Sequence, residues 1–311
     1  MRPIEAFKPS GKTTPVFLIV VVLFAAALGA ASWLYTALLG WIPWIYLNLL
    51  VLLGFAGLVG IGAYMAAQLG KNRNAILGAV AGLAIGVVGA GGSHYFAYSS
   101  ALDDVVEELA QIGEIEQSRD ELRAELEKEL GFGDFIDARV EAGWSIGRSS
   151  SSGNFTGFFV WLIWAIEALA ILAAGVIGGY LSSRSPFCEP CSQWMEEEEL
   201  LNQDVDWGEV ETLSVATSVE GIIGLVVSPK TEPSSVSLKY VGKQCASCNG
   251  DAYLSISKHW QEEEKGELED KSEDVHSDIA ISGEDLQHLR ALASQPHSAE
   301  RSEEDAHEPA Q

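Results

Sequence analysis

The sequence predicts a mainly α fold: a bundle of four transmembrane helices, an external helical hairpin and a small C-terminal module that contains β-strands. Nearly all the charge lies outside two long apolar tracts, 15–100 and 156–182, and about 20 apolar residues suffice to cross a bilayer core of about 30 Å. Residues 101–155 combine acidic character with helical spacing of apolar positions. The four cysteines all follow the second tract, beside stretches that alternate like strands.

Four stretches of the chain are long and apolar enough to be membrane spans. Pro43 and the tryptophans around it interrupt the first tract and suit a turn at the membrane–water interface. The first stretch is not a secretory signal, because its apolar run is too long and another run follows at once. We therefore predict transmembrane helices at 15–39, 45–69, 75–100 and 156–182.

The short loops predict how these helices are oriented. Cations precede the first helix at Arg2, Lys8 and Lys12. Lys71 and Arg73 lie between the second and third helices, whereas the first loop has no cation. The positive-inside rule therefore places the N-terminal segment 1–14 in the cytoplasm, and four crossings return the C-terminus to that side.

A net charge of −25 excludes some partners. Nucleic acid is not expected, because phosphate binding needs clustered lysine and arginine. The acidic runs at 196–199 and 262–264 are interpreted as solvated faces. In the third span Gly78, Gly82 and Gly86 form a small-residue stripe, which favours tight packing within the bundle over the alternative, a homo-oligomer interface.

The external segment, 101–155, is predicted to be helical. Apolar residues from Leu102 onward extend the third helix beyond the membrane. Ser118 and Glu121 match a capping box, and the helix that they begin is predicted to end at Gly131. A second short helix follows before a Gly/Ser-rich run at 149–153. We predict a helical hairpin over the bundle, with a partner-binding surface as the alternative.

The cysteines form two Cys-x-x-Cys pairs in the segment 183–293, which we predict to be a cytoplasmic four-cysteine module with acidic insertions. Four thiolates are what a tetrahedral structural zinc site requires, and the predicted ligands are Cys188, Cys191, Cys245 and Cys248. Strand-like stretches at 236–241 and 252–256 flank the second pair, where Asn249 and Gly250 tolerate positive φ. This stretch resembles a zinc ribbon, although 53 residues separate the pairs instead of about 15–20.

Two alternatives to zinc remain open for these cysteines: a thioredoxin-type redox pair at Cys188 and Cys191, or four unligated thiols. The acidic residues nearby oppose the thiolate that redox chemistry needs, and His259 is an alternative ligand. Toward the end, 279–293 is predicted to add a strand and a short helix capped by Ser282. The tail 294–311 is predicted to be disordered.

Glu167 is the acidic residue inside a predicted span. It lies near the middle of the fourth helix, where an ionised carboxylate is costly and should face protein or water. Asn48 and His94 are its candidate partners on the second and third helices. A neutral acid that hydrogen-bonds between helices is favoured, and a proton or cation relay is the alternative.

A longer pattern resembles a known group of proteins. Residues 138–148 read Ala-Arg-Val-Glu-Ala-Gly-Trp-Ser-Ile-Gly-Arg within the stretch from Phe135 to Ile171, and Pro186-Phe187-Cys188 follows the fourth span. This pattern resembles a family of uncharacterised bacterial multi-pass membrane proteins, in which such a segment precedes a Trp-rich span and a Cys-x-x-Cys pair. The resemblance implies the same architecture and a bacterial envelope setting, here the inner membrane. It implies no activity.

The chain carries no nucleotide loop, no nucleophile–base pattern and no His-Glu-x-x-His motif. An enzyme is therefore not the favoured interpretation. We expect a membrane-anchored scaffold or interaction protein with a structural zinc site and an unidentified protein partner. The alternatives are a small transporter or channel component that uses Glu167, and a membrane-tethered thiol oxidoreductase.

Overall fold

A computed structural model of the chain describes residues 2–42, 44–112, 118–145, 154–225, 236–248, 250–264 and 267–293. These residues are mainly helical, with four long apolar helices and a small β-sheet region. They divide into two compact units. The membrane unit is Ser10–Arg184, and the C-terminal unit joins Ser185 and the residues after it to the N-terminal residues up to Pro9.

The four predicted membrane helices are present as α1 (Val16–Trp41), α2 (Ile45–Leu69), α3 (Ala75–Ile112) and α6 (Phe158–Ser182). Each is long and apolar enough to cross a membrane. Helix α3 has 38 residues, and at about 1.5 Å per residue it exceeds a bilayer core of about 30 Å. Its polar C-terminal part continues the span as one helix, as the spacing after Leu102 predicts.

Glycines let the helix backbones of the membrane unit approach closely. Helices α1 and α6 each pack against both α2 and α3. A Cβ atom on Gly82 would collide with the carbonyl oxygen of Gly175, and one on Gly78 with that of Gly179. The stripe on α3 therefore packs inside this bundle, which agrees with the favoured interpretation of the sequence.

The external segment contains the helices α4 (Arg119–Glu129) and α5 (Phe132–Ala142), then the short strands β1 (Trp144–Ser145) and β2 (Asn154–Phe155). The predicted capping box is confirmed: the Glu121 N–H donates to Ser118 Oγ over 3.3 Å, and the Ser118 N–H donates to Glu121 Oε2 over 3.1 Å. Helix α4 ends at Glu129 with Leu130 as its C-cap, within two residues of the predicted end at Gly131. Gly131 also precedes α5, where its N–H donates to the Asp134 carboxylate. The run at 149–153 lies outside the described residues.

The C-terminal unit contains β3 (Phe187–Cys188), β4 (Gln193–Trp194), β5 (Glu196–Val205), α7 (Trp207–Ser214), α8 (Val219–Leu225), β6 (Val236–Gln244), β7 (Ala252–Glu264), β8 (Glu267–Ile281) and α9 (Gly283–Ala293). Strands β5, β6, β7 and β8 form an antiparallel sheet in that order. Its buried face presents alternate apolar residues such as Leu238 and Leu254, which share one core with Ile222 of α8 and Leu286 of α9.

The strands predicted at 236–241 and 252–256 and the helix capped by Ser282 are confirmed. The module is larger than a ribbon, because the 53 residues between the cysteine pairs contain β5, α7, α8 and β6. The acidic runs at 196–199 and 262–264 are exposed, yet they belong to β5 and β7. The acidic side chains of both runs are therefore exposed to solvent, as predicted, while their backbones are paired in the sheet.

The first residues of the chain form part of the C-terminal unit. The Phe7 N–H donates to the Asp278 carbonyl, and the Ala280 N–H donates to the Glu5 carbonyl, both over 2.8 Å. Residues 2–7 are called the N-terminal arm below: residues 5–7 pair with the outer edge of β8, and Pro3 pairs with Ser218, which precedes α8.

Candidate metal centre

Two tight hairpins supply the four cysteines. Cys188 lies on β3 and Cys191 in the turn to β4, whereas Cys245 and Cys248 lie in the turn from β6 to β7. The left-handed residue of the first hairpin is Ser192, with a φ of 53°. The sequence indicates positive φ in the second turn, but Gly250 does not adopt it, and Asn249 lies outside the described residues.

The pairing of β5 with β6 brings the hairpins together across 53 intervening residues. Glu196 follows β4 by two positions and lies opposite Gln244, the residue before Cys245. The register of this antiparallel ladder therefore places the β3–β4 hairpin beside the β6–β7 turn. The 53-residue insertion does not separate the cysteine pairs, because it begins with β5 and ends with β6, and these two strands pair with each other.

The distances between the sulfur atoms suit a metal ion. The four Sγ atoms all lie within 4.8 Å of one another, and those of Cys188 and Cys248 are 3.7 Å apart. Four thiolates at 2.3 Å around a tetrahedral metal would be separated by about 3.8 Å. The cysteines could thus hold one ion with small side-chain adjustments.

Polar side chains around the cysteines orient them. Gln193 Nε2 donates to Cys245 Sγ over 2.9 Å, and Ser247 Oγ donates to Gln193 Oε1 over 3.1 Å. This chain links β4 with the β6–β7 turn. Such outer contacts position ligands and are a common feature of metal sites. Cys188 and Cys245 are buried, and the other two cysteines are partly exposed.

The thiols differ in acidity. Burial raises the pKa of Cys245, but hydrogen bonds from the Ser247 N–H and the Gln193 side chain outweigh it and lower this pKa to about 6. Hydrogen bonding with Cys248 and the other two thiols raises the pKa of Cys191 to about 12, and burial chiefly raises the pKa of Cys188. Four thiolates within 4.8 Å of one another would repel each other strongly, so a cation is needed to hold all four in the ionised form.

The alternative ligand does not join this group. His259 Nε2 lies 3.0 Å from Ser257 Oγ on β7, and the cluster of metal-binding side chains contains the four cysteines alone among the described residues. A redox role requires an accessible thiol of low pKa, and Cys188 is buried with a raised pKa.

A second polar group lies in the membrane unit. The Tyr35 hydroxyl of α1 donates to Glu167 Oε1 of α6 over 2.5 Å. Glu167 and His94 both line a cavity of about 1020 Å³. Asn48 does not line it, and among the described residues its buried side-chain oxygen has no hydrogen-bond partner. Tyr35 was not among the partners predicted for Glu167. The signal that could have identified it is its hydroxyl group, which lies within the apolar run of α1.

Comparisons of the chain with protein families, with curated proteins and with solved structures found no match. The evidence for the membrane helices and for the cysteine cluster therefore comes from the sequence and the structure. The resemblance to a bacterial membrane family stays a prediction.

Proposed function

We propose that this protein is a membrane-anchored scaffold or interaction protein, in which four transmembrane helices hold a zinc-stabilised acidic module beside the bilayer. The observation that carries the proposal is the cluster of four cysteine sulfurs, all within 4.8 Å, in a chain with four membrane-length helices. Four thiolates leave zinc no open coordination position, so the metal would stabilise the fold and not catalyse a reaction.

Zinc suits these ligands for chemical reasons. Four sulfur donors in a tetrahedral arrangement favour zinc or iron, and soft thiolates disfavour magnesium and calcium. The ion would join two hairpins that otherwise meet through Gln193 and the Cys188–Cys248 contact. Zinc would thereby close the end of the sheet at which β5, β6 and β7 meet.

We further propose that the chain lies in the bacterial inner membrane with both termini in the cytoplasm, as a member of the family that it resembles. Support comes from the cations near the first and second helices. The pairing of the N-terminal arm with β8 keeps both ends of the chain on one side. A reducing compartment also keeps thiols available for zinc.

The partner is proposed to be a protein with a basic surface. The β7–β8 ribbon extends past the core of the sheet, and its exposed carboxylates include Glu262, Glu263 and Glu267. Lys271 is the cation beside them, and it already binds Glu264 and Glu269. Such a surface would speed association with a basic partner and would repel nucleic acid.

The zinc proposal is tested by metal analysis of the full-length protein in detergent. The full chain is needed because the N-terminal arm belongs to the C-terminal unit. We expect one zinc per chain, and loss of zinc in Cys245→Ser. Ser247→Ala is the matched control, because it alters the same turn without removing a sulfur, and it should keep its zinc. Less than one-tenth of an equivalent in the wild type would contradict the proposal, as would equal zinc in both variants.

The partner proposal is tested by pull-down from solubilised membranes. A variant with Glu262, Glu263 and Glu267 changed to glutamine is compared with the wild type, and retained zinc verifies its fold. The proposal expects a captured protein that the variant loses and that salt releases from the wild type. Equal capture by both proteins would remove the ribbon from recognition.

A second candidate function is a small transporter or channel component that uses Glu167. The observation in its favour is the cavity that Glu167 lines together with His94. Reconstituted flux in the wild type and in Glu167→Gln decides it. Equal flux removes Glu167 from any transport mechanism.

A further inference from the structure

The cavity beside Glu167 is a groove formed by several helices of the membrane unit. Helices α1 and α6 both pack on α3, and in the described part of the chain they have no extensive contact with each other. The space between them is lined by Leu38 of α1, Ala97 of α3 and Ile163 of α6. Helix α5 adds Phe135 and Arg139 to this lining. We call this space the α1–α6 groove.

Arg139 brings a positive charge to the groove, which Glu167 also lines. Its Cζ atom lies 5.6 Å from the centre of the Trp164 ring and 5.7 Å from that of Phe135. Among the described residues, its guanidinium forms no salt bridge and no side-chain hydrogen bond, although its side chain is only partly exposed. Burial lowers its pKa, while the charge of Glu167 raises it. A partly buried cation in this state favours an anionic ligand.

The deeper carboxylate of the groove, Glu167, is already engaged. Glu167 accepts the hydroxyl hydrogen of Tyr35, and the Tyr35 side chain is buried at 3% exposure. Among the described residues, the groove therefore offers a half-buried guanidinium without a salt bridge and two carboxylates: Glu167, which already has a donor, and Asp104, which is exposed. Solvent screens the exposed Asp104, so the half-buried guanidinium is the charge that gains most from a ligand of opposite sign.

The depth of Arg139 matches a lipid headgroup. Trp164 lies six positions after Phe158, the start of α6, or about 9 Å along the helix at 1.5 Å per residue. Because the 25 residues of α6 extend over about 37 Å and the bilayer core is about 30 Å thick, the guanidinium near Trp164 lies about 6 Å inside the core, within reach of a phosphate at the interface. Below that level the lining is mostly apolar, and Trp33, Leu34 and Trp41 are exposed to the surroundings of the bundle. The groove is consequently accessible from the bilayer.

We propose that the α1–α6 groove binds an anionic phospholipid, with its phosphate on Arg139 and an acyl chain along Leu38, Ala97 and Ile163. The volume of about 1020 Å³ is at the upper end of ordinary ligand sites and accommodates a chain together with part of a headgroup. Charge-assisted hydrogen bonds between arginine and phosphate are short and about twice as strong as neutral ones. Arg139 and the groove lining thereby form a lipid site separate from the cysteine centre.

The test measures binding of dioleoylphosphatidylglycerol to the full-length protein by native mass spectrometry. Arg139→Gln should weaken binding about tenfold, because it removes one charge-assisted interaction. Arg184→Gln is the matched control: Arg184 lies after the other end of α6, with its guanidinium 5.3 Å from the Tyr180 ring, outside the groove. This variant should bind the lipid as the wild type does.

Two further measurements test whether the ligand is a lipid or a free phosphate ester, and whether the apolar groove contributes to binding in addition to Arg139. Glycerol phosphate without acyl chains should bind far more weakly, and Ala97→Phe should weaken lipid binding by filling the groove while Arg139 remains. Equal lipid affinity in Arg139→Gln and Arg184→Gln would overturn the proposal. The proposal would also be overturned if the lipophilic cation tetraphenylphosphonium displaced the lipid and if its binding were lost in Glu167→Gln. That result would favour the transport function instead.

Discussion

The two units of this chain reach a stable fold by different means. In the membrane unit, large apolar side chains such as Leu18 and Ile61 are exposed to the surroundings, and the close contacts are between glycines. In the C-terminal unit the large apolar side chains are inside, where Tyr240, Leu254 and Ile256 are fully buried. A bilayer removes the hydrophobic drive between helices, whereas water supplies it to the sheet.

This difference predicts where each unit is vulnerable. The membrane unit should be sensitive to added volume at its glycine contacts and to the loss of a few polar links. The C-terminal unit should be sensitive to the loss of its metal, because its long acidic strands contribute little to a hydrophobic core. The following changes test this contrast.

Removal of the metal should have the largest effect. A structural zinc site is worth about 10 kcal/mol or more, which is comparable to the whole stability of a small domain of about 5–15 kcal/mol. A strong chelator should therefore make the β3–β7 region sensitive to protease while α1, α2, α3 and α6 remain protected. Peptide mapping of the digest by mass spectrometry measures this. Protection of the cysteine turns after complete metal removal would show that the unit is stable without it.

Adding one methyl group at the closest helix contact should have the next largest effect. Gly82→Ala places a Cβ against the Gly175 carbonyl and should destabilise the membrane unit by about 1–3 kcal/mol. Gly91→Ala is the control on the same helix, because a Cβ there meets no atom within 4 Å. Thermal unfolding in detergent compares the two. Equal melting temperatures would contradict the close packing of α3 on α6.

Loss of the polar link across the bundle should have a smaller effect. Tyr35→Phe removes the hydroxyl that donates to Glu167 and should cost about 1 kcal/mol, the usual size of a hydrogen bond between membrane helices. Tyr46→Phe is the control, since that tyrosine is 85% exposed. A loss as large in Tyr46→Phe as in Tyr35→Phe would show that the link does not stabilise the bundle.

Acid should release the N-terminal arm, which is the smallest effect. The Arg2 guanidinium lies 2.9 Å from Glu220 and 2.6 Å from Asp285, and it lowers the pKa of each carboxyl to about 2. In the unfolded chain these groups titrate near pH 4, so their contribution is complete above about pH 5 and is lost as the pH falls toward 2.

Hydrogen exchange of the Phe7 and Ala280 amides measures the docking of the arm. Both amides should exchange faster at pH 3 than the pH dependence of exchange itself predicts, and Arg2→Ala should show this faster exchange already at pH 7. Lys8→Ala, which alters a neighbouring cation outside these ion pairs, should leave the exchange unchanged. No difference between Arg2→Ala and the wild type at pH 7 would contradict the role of the ion pairs.

The contrast also explains what could be predicted from the sequence. Helices α1, α2 and α6 follow from apolar length alone, because a helix is the structure in which a single segment satisfies its own backbone hydrogen bonds in a bilayer. The Ser118 and Ser282 caps follow from local side-chain chemistry. The strands on either side of the second cysteine pair could be predicted, because apolar residues such as Leu238 and Leu254 alternate there with polar residues.

Other features depend on contacts between distant residues, which local patterns do not encode. The pairing of residues 5–7 with 278–280 joins opposite ends of the chain. Only the end of β8, at 279–281, lies in a predicted strand, because the rest of β8 is too acidic to show a strand pattern. The partnership of Tyr35 with Glu167 likewise depends on how α1 and α6 are arranged around α3. The pairs of cysteines could be found from their spacing, but their proximity required the β5–β6 register.

The central claim is that the four cysteines together bind one zinc ion. X-ray absorption at the zinc edge of the purified full-length protein measures the ligands directly. The account predicts four sulfur neighbours at about 2.3 Å and none of nitrogen or oxygen. A first shell that contains nitrogen or oxygen, or a protein purified under reducing conditions that binds no zinc, would contradict it.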